Sequence, residues 1–292
     1  MSHNLHTARW AFFGTPEFAK IILEKMIGAG IVPSVVVCNS DKPVGRKKIV
    51  TPCVVKKSVL EQEESIREQI TLFEPERLSI AIADFPKDEY DFFLIAAYGQ
   101  IIPESILQIP KYGTVGVHPS LLPKYRGASP IQTAILDGVE KTGTTFFLID
   151  KKVDHGPILA QHTLDDKVDA MSYHALHDII AYESANLVLK ALPQYLKETL
   201  IPTPQDHTQA TFTKKFVTQD GFVSEELLHN AETGKEDATL RVDRMVRALS
   251  EEPGVWTIRD GIRTKILETI IKDGKLKLVR IQEAGKTPRV LL

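Results

Sequence analysis

A strand–helix–strand pattern near the start of the chain constrains the fold more than any other feature. Residues 9–13 form one apolar strand, and residues 32–38 form the next. Between them Phe18, Ile22 and Met26 recur at helical spacing. Two strands joined through a helix pair in parallel, and such crossovers are right-handed. The pattern therefore predicts an α/β fold with a doubly wound, mostly parallel sheet.

The turn after the first strand lacks a dinucleotide-binding fingerprint. Gly14-Thr15-Pro16 stands where a GxGxxG motif would begin, but the further glycines are missing. NAD is therefore not expected. The helix start that follows is able to attract a phosphate, although a simple tight turn is the favoured interpretation.

A long apolar strand indicates where a ligand would bind. Residues 90–97 read YDFFLIAA, which is typical of a strand covered on both faces in the middle of a sheet. The loop at 98–103 follows its carboxyl end, and open α/β sheets bind their ligands at such strand ends.

A histidine and an aspartate follow two further predicted strands. The run GTVGVHPSLLPKYRGASP, residues 113–130, carries His118 to the end of an apolar strand, and residues 142–149 form another. Asp154 follows that second strand in a turn-forming stretch. If the strands are neighbours, the carboxylate can fix the imidazole tautomer and stabilise the protonated ring, as proton transfer near neutral pH requires. By itself the pairing fits a structural histidine as well as a catalytic one.

The composition excludes several classes of protein. A chain of 292 residues has room for two domains, and no apolar run approaches the roughly twenty residues that cross a bilayer. The N-terminal MSHNLHTAR lacks the apolar core of a signal peptide, so a cytoplasmic protein is expected, most simply a monomer. Cys38 and Cys53 lack CxxC spacing, and His174 and His177 lack neighbouring ligand residues, so no metal site is predicted.

The net charge of −2 conceals two basic stretches. Residues 41–57 hold six basic side chains against one acidic, and they lack a periodic apolar face, so a solvated loop is predicted. Residues 259–289 hold nine basic side chains against four acidic. They follow a Pro-rich linker at 201–210 and an amphipathic helix around residues 242–249, in a β-rich segment where Asp273-Gly274 marks a two-residue hairpin.

Several motifs together resemble the folate-dependent formyltransferases, namely WAFFGTPEFA, NSDKPVGRKK, AAYGQIIP, HPSLLPKYRG, KVDHGPIL and TFTKK. They cover residues 10–215, and their order is most similar to the branch of the family that acts on methionyl-tRNA. The resemblance implies a Rossmann-like catalytic domain at 1–200 and a smaller tRNA-binding domain at 211–292, with a barrel of the oligonucleotide-binding type. It also implies transfer of a formyl group from 10-formyltetrahydrofolate to the α-amino group of initiator methionyl-tRNA, without a metal.

The resemblance assigns individual residues as well. His118 and Asp154 match the catalytic positions. The residues implied to contact folate are Tyr98, Gly99, Ile101, Ser120, Leu121, Leu122, Pro123 and Asp150. The basic stretch is implied to reach the acceptor end of the tRNA through Lys42, Arg46, Lys47 and Lys48. Arg126, at the end of the SLLP loop, is expected to pair with a carboxylate in a structural role.

One position departs from the family pattern. Gly116 stands where the family has an asparagine, two residues before the histidine. The oxyanion of the tetrahedral intermediate then lacks a side-chain donor, unless backbone N–H groups, His155 or a water molecule replace it. Two other functions stay open: formylation of an amino sugar nucleotide, and binding of folate or tRNA without catalysis.

Overall fold

The computed structural model describes residues 5–45, 47–164 and 168–292. The strands are, in chain order, β1 (Trp10–Gly14), β2 (Val35–Val37), β3 (Lys42–Val44), β4 (Ile49–Thr51), β5 (Thr71–Phe73), β6 (Phe92–Ala96), β7 (Thr114–His118), β8 (Arg126–Gly127), β9 (Gly143–Leu148), β10 (Ile158–Thr163), β11 (Phe212–Thr213), β12 (Val255–Arg259), β13 (Ile262–Lys272), β14 (Lys275–Glu283) and β15 (Arg289–Val290). The helices are α1 (Glu17–Gly28), α2 (Val54–Leu60), α3 (Glu64–Arg67), α4 (Glu104–Leu107), α5 (Pro130–Asp137), α6 (Tyr173–Leu196), α7 (Glu225–Thr233) and α8 (Glu236–Leu249).

The central sheet has seven strands in the order β10-β9-β7-β6-β1-β2-β5. The strands from β7 to β5 are mutually parallel, whereas β9 and β10 are added antiparallel at one edge. The chain leaves β1 towards β2 on one side and later returns to β6 on the other, so the strand order reverses at β1. The predicted doubly wound, mostly parallel sheet is confirmed.

Apolar side chains cover both faces of the middle strands. Phe13, Phe93 and Tyr98 belong to one buried cluster. On the alternate positions Trp10 stacks on Phe92, with ring centroids 5.2 Å apart, and both rings are fully buried. Large buried aromatic groups contribute much of a core's stability, and close packing resists displacement. The ends of these strands are therefore rigid supports for the residues that follow them.

The basic stretch at 41–57 is more regular than its sequence indicates. β3 and β4 form an antiparallel hairpin in which Lys42 lies opposite Thr51, and α2 begins within the same stretch. The prediction of an irregular loop is wrong here, because strands of three residues are too short to show a periodic pattern. All six strand residues are nonetheless exposed, and Arg46, which falls between the two strands in the sequence, lies outside the described residues.

Among the described residues the chain divides into two compact units. The first holds residues up to Arg126 together with 143–163 and 177–211, and the second holds 127–142, the described part of 164–176, and 212–292. None of the described helices is long and apolar enough to cross a lipid bilayer. The functional division at 1–200, 201–210 and 211–292 stays a prediction.

The second unit contains an antiparallel sheet in the order β12-β13-β14-β15. Asp273 and Gly274 join β13 to β14 with φ angles of +53° and +71°, the left-handed pair that the predicted two-residue hairpin requires. The predicted amphipathic helix is α8, which buries Val242 and Leu249 and packs against β13. A smaller β-rich C-terminal part is thus confirmed; the described pairings leave its strands in linear order, and closure into a barrel stays a prediction.

Candidate active site

His118 is the last residue of β7, and its side chain is almost fully buried. Its Nε2 lies 2.8 Å from the backbone oxygen of Tyr125. A carbonyl only accepts hydrogen bonds, so we assign the proton of the neutral ring to Nε2. Nδ1 is then the basic nitrogen, and it lies 3.6 Å from Oδ2 of Asp154. The structure therefore brings the two predicted catalytic residues together.

The two residues meet because the turn after β9 folds back towards His118. β9 is antiparallel to β7 and ends at Leu148, opposite Val115, so its carboxyl end lies away from the histidine. His118 itself lies opposite Thr145 in this pairing. Asp154 has a left-handed backbone, with φ of +48°. Aspartate tolerates that conformation better than most residues, although it still costs free energy. Such a residue keeps its place only when its surroundings hold it there.

The turn between Asp150 and Gly156 is tied internally through its first residue. One carboxylate oxygen of Asp150 accepts from the N–H of Lys152 at 2.8 Å, and the other lies 2.7 Å from Nδ1 of His155. The ring of His155 also stacks on that of His207, with centroids 4.0 Å apart. Only Nε2 of His155 is therefore left to donate a hydrogen bond to the oxyanion in place of the side chain that Gly116 lacks.

Gly116 faces the side chain of Ile149. A Cβ atom added at Gly116 would lie 2.6 Å from Cδ1 of Ile149 and 3.3 Å from Cε1 of Phe147. Its backbone is not left-handed, so the conformation itself does not demand glycine. Any side chain at this position requires Ile149 to move, because the end of that side chain occupies the space beside a Cβ at Gly116.

A cavity of about 780 Å³ borders the turn. Ile149, Asp150 and His155 form part of its lining, together with Leu107 and Tyr112. Gly113 and Thr114, at the start of β7, also line it, whereas His118 and Asp154 do not belong to its lining. Among the described residues, no three His, Cys, Asp or Glu side chains converge into a group that could bind a metal ion.

The residues predicted to contact folate lie in different surroundings. Asp150 lines the cavity. Tyr98, in contrast, has its ring in the core, where burial raises the pKa of its hydroxyl to about 12. Gly99 follows with φ of +80°, and Ile101 is 90% exposed. Tyr98 thus presents its backbone rather than its hydroxyl at this strand end, and the binding roles of all four residues stay predictions.

The SLLP loop, Ser120–Pro123, is fixed to the neighbouring strands. The hydroxyl of Thr145 donates to the backbone oxygen of Ser120 at 2.7 Å and accepts from the N–H of Leu122 at 3.0 Å. Gln161 donates to the backbone oxygen of Leu122 at 2.9 Å. Ser120 and Leu122 are buried, while Leu121 and Pro123 are half-buried. The loop is therefore built as a rigid wall, and its contact with folate stays a prediction.

The basic side chains of the hairpin segment fall into two groups. Those predicted to contact tRNA and described in the structure are Lys42, Lys47 and Lys48, all exposed. Lys56 instead lies 2.9 Å from both Asp41 and Glu74, and these carboxylates raise its pKa, that of Glu74 most strongly. Lys56 thus stabilises the segment. Among the described residues, in contrast, no carboxylate forms an ion pair with Lys42, Lys47 or Lys48.

Two contacts of the site were not apparent from the sequence. Tyr125 acts through its backbone oxygen, which no side-chain pattern reveals. Gln205 donates to the backbone oxygens of Asp154 and Gly156. In the sequence it is one polar residue in a Pro-rich stretch, a pattern that is not specific for such a contact. Arg126 is buried, as a structural role requires, and it donates to Gln205 and His207; its pairing with a carboxylate stays a prediction.

Comparison with known proteins gives a consistent result. Residues 8–188 match the family model described as formyl transferase. The chain is 34% identical to the methionyl-tRNA formyltransferase of Roseiflexus castenholzii over 96% of its own length and 93% of that relative. It is 35% identical to the methionyl-tRNA formyltransferase of Staphylococcus epidermidis over 94% and 91%. Its fold is similar to an N-formyltransferase from Helicobacter canadensis, crystallised with folinic acid and dTDP-3-aminofucose, with a TM-score of 0.63, 16% identity, and coverage of 91% and 89%.

Proposed function

The chain belongs to the formyl transferase family, and from this we propose that it transfers a formyl group from 10-formyltetrahydrofolate to the α-amino group of methionyl-tRNA. The observation that carries the proposal is the His118–Asp154 pair at a strand end, in a chain 34% and 35% identical to methionyl-tRNA formyltransferases along nearly its whole length. The structure crystallised with an amino sugar nucleotide is only 16% identical, so that substrate class is the weaker alternative.

The reaction requires a group that accepts the proton of the attacking amine. In the proposed mechanism the amine nitrogen attacks the formyl carbon, and its proton passes to Nδ1 of His118. The imidazolium then returns this proton to N10 as the bond between the formyl carbon and N10 breaks. Asp154, 3.6 Å from Nδ1, stabilises the imidazolium that forms. Because the histidine is buried, water screens this attraction weakly.

Gly116 limits the rate that this site can reach. An oxyanion donor typically contributes roughly a hundredfold to a thousandfold to turnover. At Gly116 that donor is missing, and the side chain of Ile149 fills the adjacent space. We therefore expect measurable formyl transfer that is slower than a complete asparagine–histidine–aspartate set would support.

The tRNA partner is proposed from the exposed hairpin. Lysines at 42, 47 and 48 lie near the exposed apolar residues Val44, Ile49 and Val50. Lysine suits phosphate contacts, and apolar groups suit ribose and base surfaces. Arg46 belongs to this proposal by sequence. The same proposal places the protein in the cytoplasm and has it act as a monomer.

The test is an assay of the purified full chain with saturating 10-formyltetrahydrofolate and initiator methionyl-tRNA. We expect formylmethionine after hydrolysis of the product, and much less product from tRNA charged with other amino acids or from an amino sugar nucleotide. Binding of both ligands without any formyl transfer would contradict the proposal and favour a binding protein. Preferential turnover of the amino sugar nucleotide would favour the sugar alternative.

A further inference from the structure

Gln205 is buried beside the turn that carries Asp154. Its Nε2 donates to the backbone oxygen of Asp154 at 3.0 Å and to that of Gly156 at 2.7 Å. The two carbonyls lie on either side of His155, so one amide group holds the turn at both ends. Asp154 has the left-handed backbone that needs such support.

Arg126 fixes the orientation of that amide. Its guanidinium donates to Oε1 of Gln205 and, at 2.9 Å, to Nδ1 of His207. Desolvation most strongly, and then the proximity of His155 and Arg126, lower the pKa of His207, and its Nδ1 accepts because a guanidinium only donates. Because a guanidinium can only donate, the oxygen of Gln205 must face Arg126, and its NH₂ group must face the turn.

The same segment of chain also holds the second partner of His118. The hydroxyl of Thr211 accepts from the N–H of Tyr125 at 2.8 Å, and the backbone oxygen of Thr211 accepts from the N–H of Arg126 at 2.9 Å. Tyr125 is left-handed as well, with φ of +59°, and its carbonyl accepts from Nε2 of His118. Both groups that flank the imidazole are therefore tied to residues 205–211.

We propose that Gln205 is a positioning residue for formyl transfer: it holds the Asp154 carboxylate beside Nδ1 of His118. The stretch predicted as a linker, 201–210, thus sets the geometry of the catalytic pair in addition to connecting parts of the chain. This inference rests on the proposed function of the His118 site. Gln205 reaches no reacting atom, so its loss should lower kcat rather than weaken substrate binding. A displacement of about 1 Å in a catalytic group can cost as much as a hundredfold in rate.

Two substitutions separate this role from simple pairing with Arg126. Gln205→Ala removes every contact, whereas Gln205→Glu keeps an acceptor for Arg126 but replaces the donor that faces the two carbonyls. We expect kcat to fall about tenfold to a hundredfold in both variants, with KM for methionyl-tRNA and formylfolate changed by less than about twofold. The ¹⁵N chemical shifts of the His118 ring should move in both. Gln205→Met, which keeps the length of the side chain, replaces the alanine variant if that does not fold.

Ser34→Ala is the matched control, because it also removes a hydrogen bond between a side chain and a distant backbone oxygen, that of Trp10, at the opposite strand ends of the sheet. It should lower the melting temperature while leaving kcat and the His118 shifts unchanged. Wild-type kcat in Gln205→Glu, or unchanged His118 shifts in Gln205→Ala, would overturn the inference. If the wild type transfers no formyl group, the proposed function fails, and the ring shifts still decide whether Gln205 positions the pair.

Discussion

The turn that carries Asp154 and the β3–β4 hairpin are both short excursions from the central sheet, yet they are held in different ways. The turn is fixed by buried polar groups: Gln205 makes three side-chain hydrogen bonds, one of them accepted from Arg126, and Arg126 also donates to His207. The hairpin exposes all of its strand residues. Proton transfer depends on distances of a few ångströms, whereas attraction of a polyanion depends on charge and tolerates movement. Single substitutions should therefore damage the first region far more than the second.

The largest effect is expected from His118→Ala. Removing the proton acceptor should lower kcat by about 10² to 10⁴-fold, the usual range for a general base. Formylfolate affinity, measured by fluorescence titration, should stay within about threefold of the wild type. Circular dichroism should show retained folding. Turnover within tenfold of the wild type would show that another group accepts the proton.

Gly116→Asn should have the next largest effect, but only when space is made for it. In the single variant the new side chain meets Ile149, so turnover should stay flat or fall. In Gly116→Asn/Ile149→Ala the amide can enter that space, and turnover should rise, by as much as a hundredfold to a thousandfold if no other donor serves the oxyanion.

Gly116→Ala and Ile149→Ala are the controls, because they separate the loss of packing from the gain of a donor. Burst-phase and steady-state rates with saturating substrates measure the effect. A rise in the single Gly116→Asn variant would show that Ile149 moves aside without cost, and equal rates for Ile149→Ala and the double variant would show that a donor is already present.

The same contrast explains what could be predicted from the sequence. The pairing of β7 with β9 fits the two apolar runs that the sequence shows, but β9 is antiparallel to β7 and ends at Leu148, opposite Val115 and away from His118. Asp154 reaches the histidine because the turn after β9 folds back, and strand periodicity does not encode that turn. Ile149 beside Gly116 depends on side-chain packing between strands, which no linear pattern encodes. Gln205 lies 51 residues from Asp154 in the chain, and its partners are backbone oxygens, so its type and spacing carried no signal.

A smaller effect is expected from Lys47→Ala/Lys48→Ala. If both lysines contact phosphates, binding of tRNA should weaken, and the slope of log Kd against log salt should flatten by about 1 per lysine. kcat at saturating tRNA should change little, because the catalytic turn is untouched. Filter binding at several salt concentrations measures the slope. An unchanged slope would remove these lysines from the interface.

The smallest effect is expected from Lys56→Met, the matched control within the same basic segment. Lys56 pairs with Asp41 and Glu74 in the folded protein. Its loss should lower the free energy of unfolding by about 1 kcal/mol or less, since partly exposed ion pairs contribute little. The salt slope of tRNA binding should match the wild type. A slope that flattens as much as in the Lys47→Ala/Lys48→Ala variant would mean that positive charge anywhere in the segment attracts the tRNA.

The double-mutant cycle of His118→Ala with Asp154→Asn tests the central claim most directly. We expect Asp154→Asn alone to lower the single-turnover rate of formyl transfer severely, because the imidazolium loses its neighbouring charge. Since the carboxylate acts only through the ring, adding Asp154→Asn to His118→Ala should cost almost nothing further. Losses that multiply in the double variant, or full activity in Asp154→Asn, would show that the two residues do not act as a pair.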